Sequence, residues 1–99
     1  MLQKTEFIWF DGKLVPWDQA QVHVLAHGLH YGTGVFEGIR AYACPDGSSA
    51  VFRLPEHSKR LVNSAKILGI NMPYTADEIS KAIVETVVAN KLSEGYIRP

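Results

Sequence analysis

The spacing of hydrophobic residues changes at Pro55, and this change constrains the fold more than any other feature of the sequence. Before Pro55, short runs of aromatic and branched residues alternate with Gly, Asp and Pro, which is typical of strands and turns. After it, apolar residues recur at helical spacing in two successive segments. A last extended run begins at Tyr96. The sequence therefore predicts an α+β fold, a two-layer sandwich in which an antiparallel sheet carries two helices packed on one face.

Turn residues divide the first half of the chain into two predicted hairpins. Asp11 and Gly12 separate two runs of aromatic and branched residues, which is a strong hairpin signal. Pro16 has no N–H to donate, so we expect it at the end or edge of the second strand. A second hairpin is predicted from strands at residues 37–43 and 49–54, because the Pro, Asp, Gly and Ser between them favour a turn.

Two helices are predicted after the hairpins, each with its own end signals. Pro55 suits the first turn of a helix, and Gly69 suits the position just after a helix ends. Thr75 and Glu78 have the spacing of a capping box, in which each side chain binds a free backbone N–H of the first turn. We expect this second helix to continue to about Leu92.

The residues between the hairpins contain three histidines at the spacing of one helical face, His23, His27 and His30. On a helix, such a triplet could bind zinc. We favour structural roles for them, because Val22–Leu25 is predicted as a short extended piece in a loop and Gly28 is predicted to interrupt any helix. No metal site is therefore expected.

Composition and charge argue against several classes of function. Lysine and arginine number 10, as do aspartate and glutamate, so no basic stripe predicts nucleic-acid binding. No apolar run approaches the roughly 20 residues of a membrane span, and no signal peptide is evident. Cys44 is the single cysteine, so it cannot form an internal disulfide, and a reducing compartment fits. We expect a single-domain cytoplasmic protein.

The segment Tyr31–Arg40 contains three glycines, two aromatic residues and two opposite charges. This mixture is unfavourable for a regular element, and it suits a wall that contacts a small molecule. The glycine spacing is Gly-x-Gly-x-x-x-Gly. A dinucleotide-binding loop requires Gly-x-Gly-x-x-Gly after a strand, so that function is not predicted.

Tyr31–Arg40 resembles the signature of the branched-chain amino-acid aminotransferases. These are class IV aminotransferases, pyridoxal-phosphate enzymes of fold type IV, a group that also contains D-amino-acid aminotransferase and aminodeoxychorismate lyase. Four further motifs fall in the family's order and rough spacing: Ile8-Trp-Phe-Asp-Gly12, Val22-His-Val24, His57 with Arg60, and Tyr96-Ile-Arg-Pro99. The resemblance extends across the chain and implies that the cofactor is pyridoxal phosphate.

The resemblance also implies roles for seven residues. Arg60 matches the arginine that binds the cofactor phosphate; from composition alone, we would expect it to extend along an apolar helix face into water. The other residues match the substrate pocket: Tyr31, Phe36, Gly38, Arg40, Tyr96 and Arg98. Phe36 and Gly38 suit an aliphatic side chain. Tyr31 and Arg98 suit the distal carboxylate of glutamate.

Strand alternation is compatible with part of this pocket. Tyr96 and Arg98 are two residues apart and share one face of a predicted strand, and Arg40 and Tyr42 do the same on another. From the residues alone, an exposed sheet face fits the same alternation equally well.

A pyridoxal-phosphate enzyme needs a lysine that binds the cofactor covalently. None of the lysines here matches the family's catalytic lysine, which would lie beyond Pro99. The resemblance therefore implies that residues 1–99 are the N-terminal small domain of a longer aminotransferase, without a catalytic residue and inactive alone. The parent would transfer the amino group of leucine, isoleucine or valine to 2-oxoglutarate. It would be a homodimer or larger homo-oligomer, because the family offers the tyrosine at position 31 from the neighbouring subunit.

Two alternatives stay open. A D-amino-acid aminotransferase or an aminodeoxychorismate lyase would share this fold with different pocket residues, although Phe36–Arg40 favours the branched-chain type. A non-catalytic domain that binds a partner or itself through an exposed sheet would explain why the lysine is missing.

Overall fold

The computed structural model describes residues 3–99, which form five strands and three α-helices. In chain order the elements are β1 (Phe7–Phe10), β2 (Lys13–Pro16), a short 3₁₀ turn (Trp17–Gln19), α1 (His27–Tyr31), β3 (Ile39–Ala43), β4 (Ser49–Val51), α2 (Leu54–Ile67), α3 (Ala76–Ala89) and β5 (Gly95–Ile97). β1 and β2 form a two-stranded antiparallel sheet. A three-stranded antiparallel sheet has the spatial order β4-β3-β5.

The first predicted hairpin is confirmed. Asp11 and Gly12 connect β1 to β2 with φ angles of 51° and 94°. Positive φ at both central residues is what a type I′ hairpin turn requires, and Asp-Gly tolerates it well. Pro16 is the last residue of β2, as expected for a residue that cannot donate to the ladder.

The three-stranded sheet has one buried and one exposed face. Ile39 and Ala41 of β3 are almost fully buried. Arg40 and Tyr42 alternate with them and are exposed on the other face. Antiparallel pairing places Arg40 directly opposite Tyr96 of β5. The predicted alternation on these two strands is therefore confirmed.

The end signals of α2 and α3 are also confirmed. Pro55 lies in the first turn of α2, and Gly69 follows its last turn with a φ of 72°. The Thr75 hydroxyl accepts the Glu78 N–H at 3.2 Å, and the Glu78 carboxylate accepts the Thr75 N–H at 3.1 Å. None of the helices in residues 3–99 is long and apolar enough to cross a membrane.

Three elements are shorter than predicted, and local backbone geometry explains two of them. β4 ends at Val51, because Arg53 takes a left-handed conformation with a φ of 56° just before α2. α3 ends at Ala89, and Lys91 has a φ of 54°. β3 begins at Ile39, two residues after the predicted start.

The core lies between the buried face of the three-stranded sheet and the two long helices. Its centre is formed by Ile39, Leu61, Ile79 and Ile83, with further side chains packed around it: Val35, Val51, Leu54, Val62, Met72, Tyr74 and Ile97. Ser58 of α2 and Ser80 of α3 join the helices through a hydroxyl–hydroxyl hydrogen bond of 2.7 Å. The α+β class, with antiparallel strands and helices on one face, is confirmed.

The strands form two sheets, whereas we predicted one. The Asn90 side chain, just after α3, binds both backbone polar groups of Phe7. Its Oδ1 accepts the Phe7 N–H at 2.8 Å, and its Nδ2 donates to the Phe7 carbonyl at 3.0 Å. A side chain therefore occupies the edge of β1 where another strand would otherwise pair.

The prediction for residues 18–31 is wrong in two respects. Val22–Leu25 is not extended, because the His23 carbonyl accepts the Ala26 N–H at 2.9 Å and folds this piece into a turn. Gly28 does not interrupt a helix, since it lies inside α1. A Cβ at Gly28 would lie 2.8 Å from the Thr33 carbonyl oxygen, so glycine permits the chain to pass closely there.

Candidate functional site

The exposed face of the three-stranded sheet brings together Phe36, Arg40, Tyr96 and Arg98, which we call the aromatic–arginine face. Arg40 pairs with Tyr96 across the two strands. The guanidinium carbon of Arg98 lies 4.3 Å from the ring centroid of Phe36 and 5.1 Å from that of Tyr96. Both distances are within the range of cation–π stacking. Four of the residues matched to a substrate pocket are therefore neighbours.

The two arginines of this face are electrostatically uncompensated within residues 3–99. No carboxylate in that range lies within 4.0 Å of Arg40 or Arg98. Both side chains are exposed, and the rings beside them leave N–H groups of the guanidinium edges available. An arginine with a free edge is well suited to bind a carboxylate through two parallel hydrogen bonds.

Gly38 lies directly against the side chain of Tyr96. A Cβ at this position would be 3.1 Å from Cζ of Tyr96 and closer still to its hydroxyl. The space left by the missing side chain is occupied by the tyrosine. Gly38 therefore shapes the aromatic–arginine face by setting how closely the Tyr96 ring approaches the backbone.

Tyr31 lies elsewhere, on α1. Its ring packs against His27 at 4.8 Å and His30 at 4.5 Å between centroids. The exposed fraction of its side chain is 67%, so most of the ring is available for other contacts. Within this chain, its ring neighbours are thus histidines of its own helix.

The three histidines of this segment have separate local partners. His23 Nδ1 accepts the Leu25 N–H at 3.0 Å. His27 Nδ1 lies 2.8 Å from the Thr33 hydroxyl. In the described part of the chain, no group of three His, Cys, Asp or Glu side chains is placed to bind a metal ion.

Arg60 of α2 forms a bidentate ion pair with Glu37, which lies between Phe36 and Gly38. Its Nε and Nη2 each donate to one carboxylate oxygen of Glu37 at 2.8 Å. His57 Nδ1 lies 2.7 Å from the same carboxylate. The Glu37 side chain is 6% exposed, whereas that of Arg60 is 67% exposed. The ion pair thus connects the buried edge of the sheet to the surface of α2.

The Glu37 carboxylate is ionised at neutral pH. The hydrogen bonds from Arg60 hold the pKa of Glu37 below its ordinary value; burial opposes them, and the hydrogen bond from His57 acts in the same direction as Arg60. The same contact raises the pKa of Arg60. The site therefore has an anion and a permanent cation in direct contact.

Our sequence interpretation missed Glu37 and His57 as partners of Arg60. One signal was present. Glu37 is two and four residues before Ile39 and Ala41, so strand alternation places a carboxylate on the core side. A buried carboxylate requires a cationic partner. His57 and Arg60, three residues apart on α2, share a helix face that can supply it.

Residues 34–99 match the amino-transferase class IV family. The branched-chain-amino-acid aminotransferase of Pseudomonas aeruginosa is 50% identical over 99 residues, which are 100% of this chain and 32% of that protein. The chain spans about a third of the length of the curated relatives that it matches.

The fold is also that of solved branched-chain amino acid aminotransferases. The enzyme from the source abbreviated T.th., complexed with N-(5′-phosphopyridoxyl)-L-glutamate, is 48% identical with a TM-score of 0.92, covering 96% of this chain and 31% of that one. The same enzyme complexed with 4-methylvaleric acid is 48% identical with a TM-score of 0.92, covering 96% and 32%.

Proposed function

Because this chain belongs to the class IV aminotransferase family, we propose that residues 1–99 are the N-terminal small domain of a branched-chain amino-acid aminotransferase. The whole enzyme transfers the amino group of leucine, isoleucine or valine to 2-oxoglutarate through pyridoxal phosphate. In this proposal, the lysine that binds the cofactor covalently lies outside residues 1–99. This chain contributes contacts to the substrates and to the cofactor phosphate.

The aromatic–arginine face is the observation that carries the proposal. The two substrates pose opposite requirements, since one has an aliphatic side chain and the other a second carboxylate. Phe36 offers an apolar ring to the first. Arg98, stacked 4.3 Å over that ring, offers a cation to the second. The complexes of the T.th. enzyme with 4-methylvaleric acid and with a phosphopyridoxyl-glutamate support a pocket with both properties.

Arg60 fits a phosphate ligand in this structure. A guanidinium has five N–H groups, and Arg60 uses two of them on Glu37. The rest of the group is exposed and positively charged, as a phosphate site requires. Pyridoxal phosphate, when bound, supplies the electron sink through which the amino group moves. Arg60 binds its phosphate, and the aromatic–arginine face orients the side chain of each substrate.

The proposal is tested with the full-length protein that contains this chain. We expect glutamate to form from 2-oxoglutarate when L-leucine, L-isoleucine or L-valine is the donor. We also expect Arg60→Ala to weaken binding of pyridoxamine phosphate, which has no covalent tether, by roughly 10–150-fold. Arg53→Ala is the matched control, because Arg53 is an exposed arginine beside the same helix that pairs with Glu56.

Two results would contradict this function. Preference for D-alanine over the three L-amino acids would identify the D-amino-acid enzyme, and lyase activity on aminodeoxychorismate would identify the other relative. Binding of pyridoxamine phosphate that is equal in the wild type and in Arg60→Ala would remove Arg60 from the phosphate site.

We also propose that the enzyme is a cytoplasmic homodimer or larger homo-oligomer, in which Tyr31 reaches the pocket of a neighbouring subunit. Leu29 and Tyr31 on α1 are both largely exposed, as are Val24 and Leu25 just before it. Such an apolar surface supports a contact with a second copy.

Mixed subunits test this arrangement. Tyr31→Ala and Arg60→Ala enzymes are each impaired, but a hybrid of the two has one site with both residues intact if Tyr31 acts across the interface. We therefore expect activity to rise when the two variants are unfolded together and refolded. No recovery, or full activity in a sedimenting monomer, would place Tyr31 in its own subunit's site.

A further inference from the structure

The ion pair between Arg60 and Glu37 uses only one edge of the guanidinium. Nε donates to Oε2 and Nη2 donates to Oε1 of the carboxylate. Nε and the near N–H of Nη2 form one edge of this planar group. Nη1 and the far N–H of Nη2 form a second edge, which points away from the first. In residues 3–99, the second edge donates to no acceptor.

Glu37 is held in place on several sides. Its backbone N–H donates to the Pro99 carbonyl at 3.1 Å. Its carboxylate is buried and also contacts His57, one helical turn before Arg60 on α2. A carboxylate fixed in this way is a rigid acceptor. It restrains a long arginine side chain that would otherwise sample many rotamers at the surface.

We infer that Glu37 is a positioning residue for the cofactor phosphate: it clamps one edge of the Arg60 guanidinium so that the other edge is presented to the phosphate. This inference rests on the proposed function, in which Arg60 is the phosphate ligand. Restraining a binding group before the ligand arrives reduces the entropy lost on binding. A planar group with two edges can pair with a carboxylate and a phosphate at once, which an ammonium group cannot do with the same geometry.

The sign of the effect distinguishes positioning from simple electrostatics. The Glu37 carboxylate is an anion near a proposed anion site, so by charge alone it opposes phosphate binding. If Glu37 acted only through its charge, Glu37→Gln would strengthen binding of pyridoxamine phosphate. If Glu37 positions Arg60, the same substitution weakens it, because the glutamine amide replaces one acceptor by a donor that faces the guanidinium.

The experiment measures the dissociation constant of pyridoxamine phosphate from the full-length apoenzyme by calorimetry, in the wild type, Glu37→Gln, Arg60→Ala and the double variant. We expect Glu37→Gln to weaken binding by roughly tenfold, the scale of one charge-assisted hydrogen bond. In the Arg60→Ala background, we expect the same substitution to leave binding unchanged or strengthen it. Glu56→Gln is the matched control, since Glu56 is an exposed carboxylate on the same helix.

Each outcome decides the matter. Stronger or unchanged binding in Glu37→Gln, with Arg60→Ala still weakened, overturns the inference and leaves the proposed function in place. An equal loss from Glu37→Gln with and without Arg60 means that Glu37 acts on the fold in general, which also overturns it. No loss in Arg60→Ala overturns both the inference and the placement of Arg60 at the phosphate.

A second variant keeps the test decisive if Glu37→Gln does not fold. Arg60→Lys retains the positive charge and can pair with Glu37, but its ammonium has no second edge. We expect pyridoxamine phosphate to bind Arg60→Lys nearly as weakly as Arg60→Ala. Binding of Arg60→Lys at the wild-type level would show that charge alone suffices, and the two-edge arrangement would be wrong.

Discussion

Gly38 and Tyr96 are in contact across neighbouring strands, with the tyrosine side chain seated in the space that a side chain at position 38 would fill. A Cβ at Gly38 would lie 3.1 Å from Cζ of Tyr96, which is tighter than ordinary van der Waals contact, and nearer still to the hydroxyl. Tyr96 in turn contacts Arg98. The backbone at Gly38 therefore controls the position of the ring on which Arg98 stacks.

The first prediction concerns this contact. In the full-length enzyme, Gly38→Ala should displace the Tyr96 ring and raise KM for the amino-acid substrates. The loss of stability should be small, because the displaced atoms are the end of a half-exposed side chain that can rotate. Steady-state kinetics of Gly38→Ala, Tyr96→Phe and the double variant check this. Removing the hydroxyl should recover part of the Gly38→Ala loss, and additive effects would mean that the contact does not shape the pocket.

The second prediction is a pH dependence that originates in Glu37. Its pKa is lowered in the folded protein, below the ordinary 4.5. The unfolded chain then binds the proton more readily, so the stabilisation by Glu37 is fully present above about pH 4.5 and is lost as pH falls through the lower folded pKa. The difference in urea midpoint between wild type and Glu37→Gln should therefore be large near neutral pH and shrink in acid. A difference that grows in acid would have the wrong sign, and Glu56→Gln should show little difference at any pH.

The third prediction concerns the hydrogen bonds of Asn90, which bind the first hairpin to α3. Its side chain makes two bonds to Phe7 and donates to the Thr86 carbonyl at 2.9 Å. Asn90→Ala should lower the free energy of unfolding by about 1–3 kcal/mol, because the Phe7 groups lose their partner. It should also speed hydrogen exchange at the Phe7 amide. Asn63→Ala, at an exposed position on α2, should change stability by less than about 0.5 kcal/mol; equal effects would mean that Asn90 does not hold the hairpin.

The elements that were predictable from the sequence are those fixed by neighbouring residues. Asp11-Gly12 specifies its turn because the two residues themselves tolerate positive φ. Thr75 and Glu78 specify the start of α3 because the capping bonds span three residues. In both cases, the energy that selects the structure is local.

The features that escaped prediction depend on contacts between distant segments. The helix at α1 forms around Gly28 because the chain returns at Thr33, a closure that helix propensity does not reveal. The bond between Glu37 and Arg60 joins residues 23 positions apart. The sequence indicated that a buried carboxylate there needs a cation, but the choice of Arg60 follows from how α2 packs on the sheet.

The last prediction separates the two substrates of the proposed reaction. If Arg98 binds the distal carboxylate of glutamate, Arg98→Met in the full-length enzyme should slow the half-reaction with glutamate and largely spare leucine, which has no charge at that position. Methionine keeps the apolar bulk that stacks on Phe36. Losing a charge-assisted bidentate contact should reduce kcat/KM for glutamate by about 1.5–3 kcal/mol.

Tyr31→Phe should act in the same direction as Arg98→Met but more weakly, by about 0.5–1.5 kcal/mol, because it removes one neutral donor. Single-turnover rates of each half-reaction measure both effects. Arg53→Met is the matched control, because Arg53 is an exposed arginine 6.0 Å over the Phe52 ring, paired with Glu56 and assigned to neither substrate, so both rates should stay near wild type. Equal losses for leucine and glutamate in Arg98→Met would mean that Arg98 binds the α-carboxylate common to both substrates. The aromatic–arginine face would then hold the shared end of each substrate, and discrimination between an aliphatic and an acidic side chain would have to come from other residues.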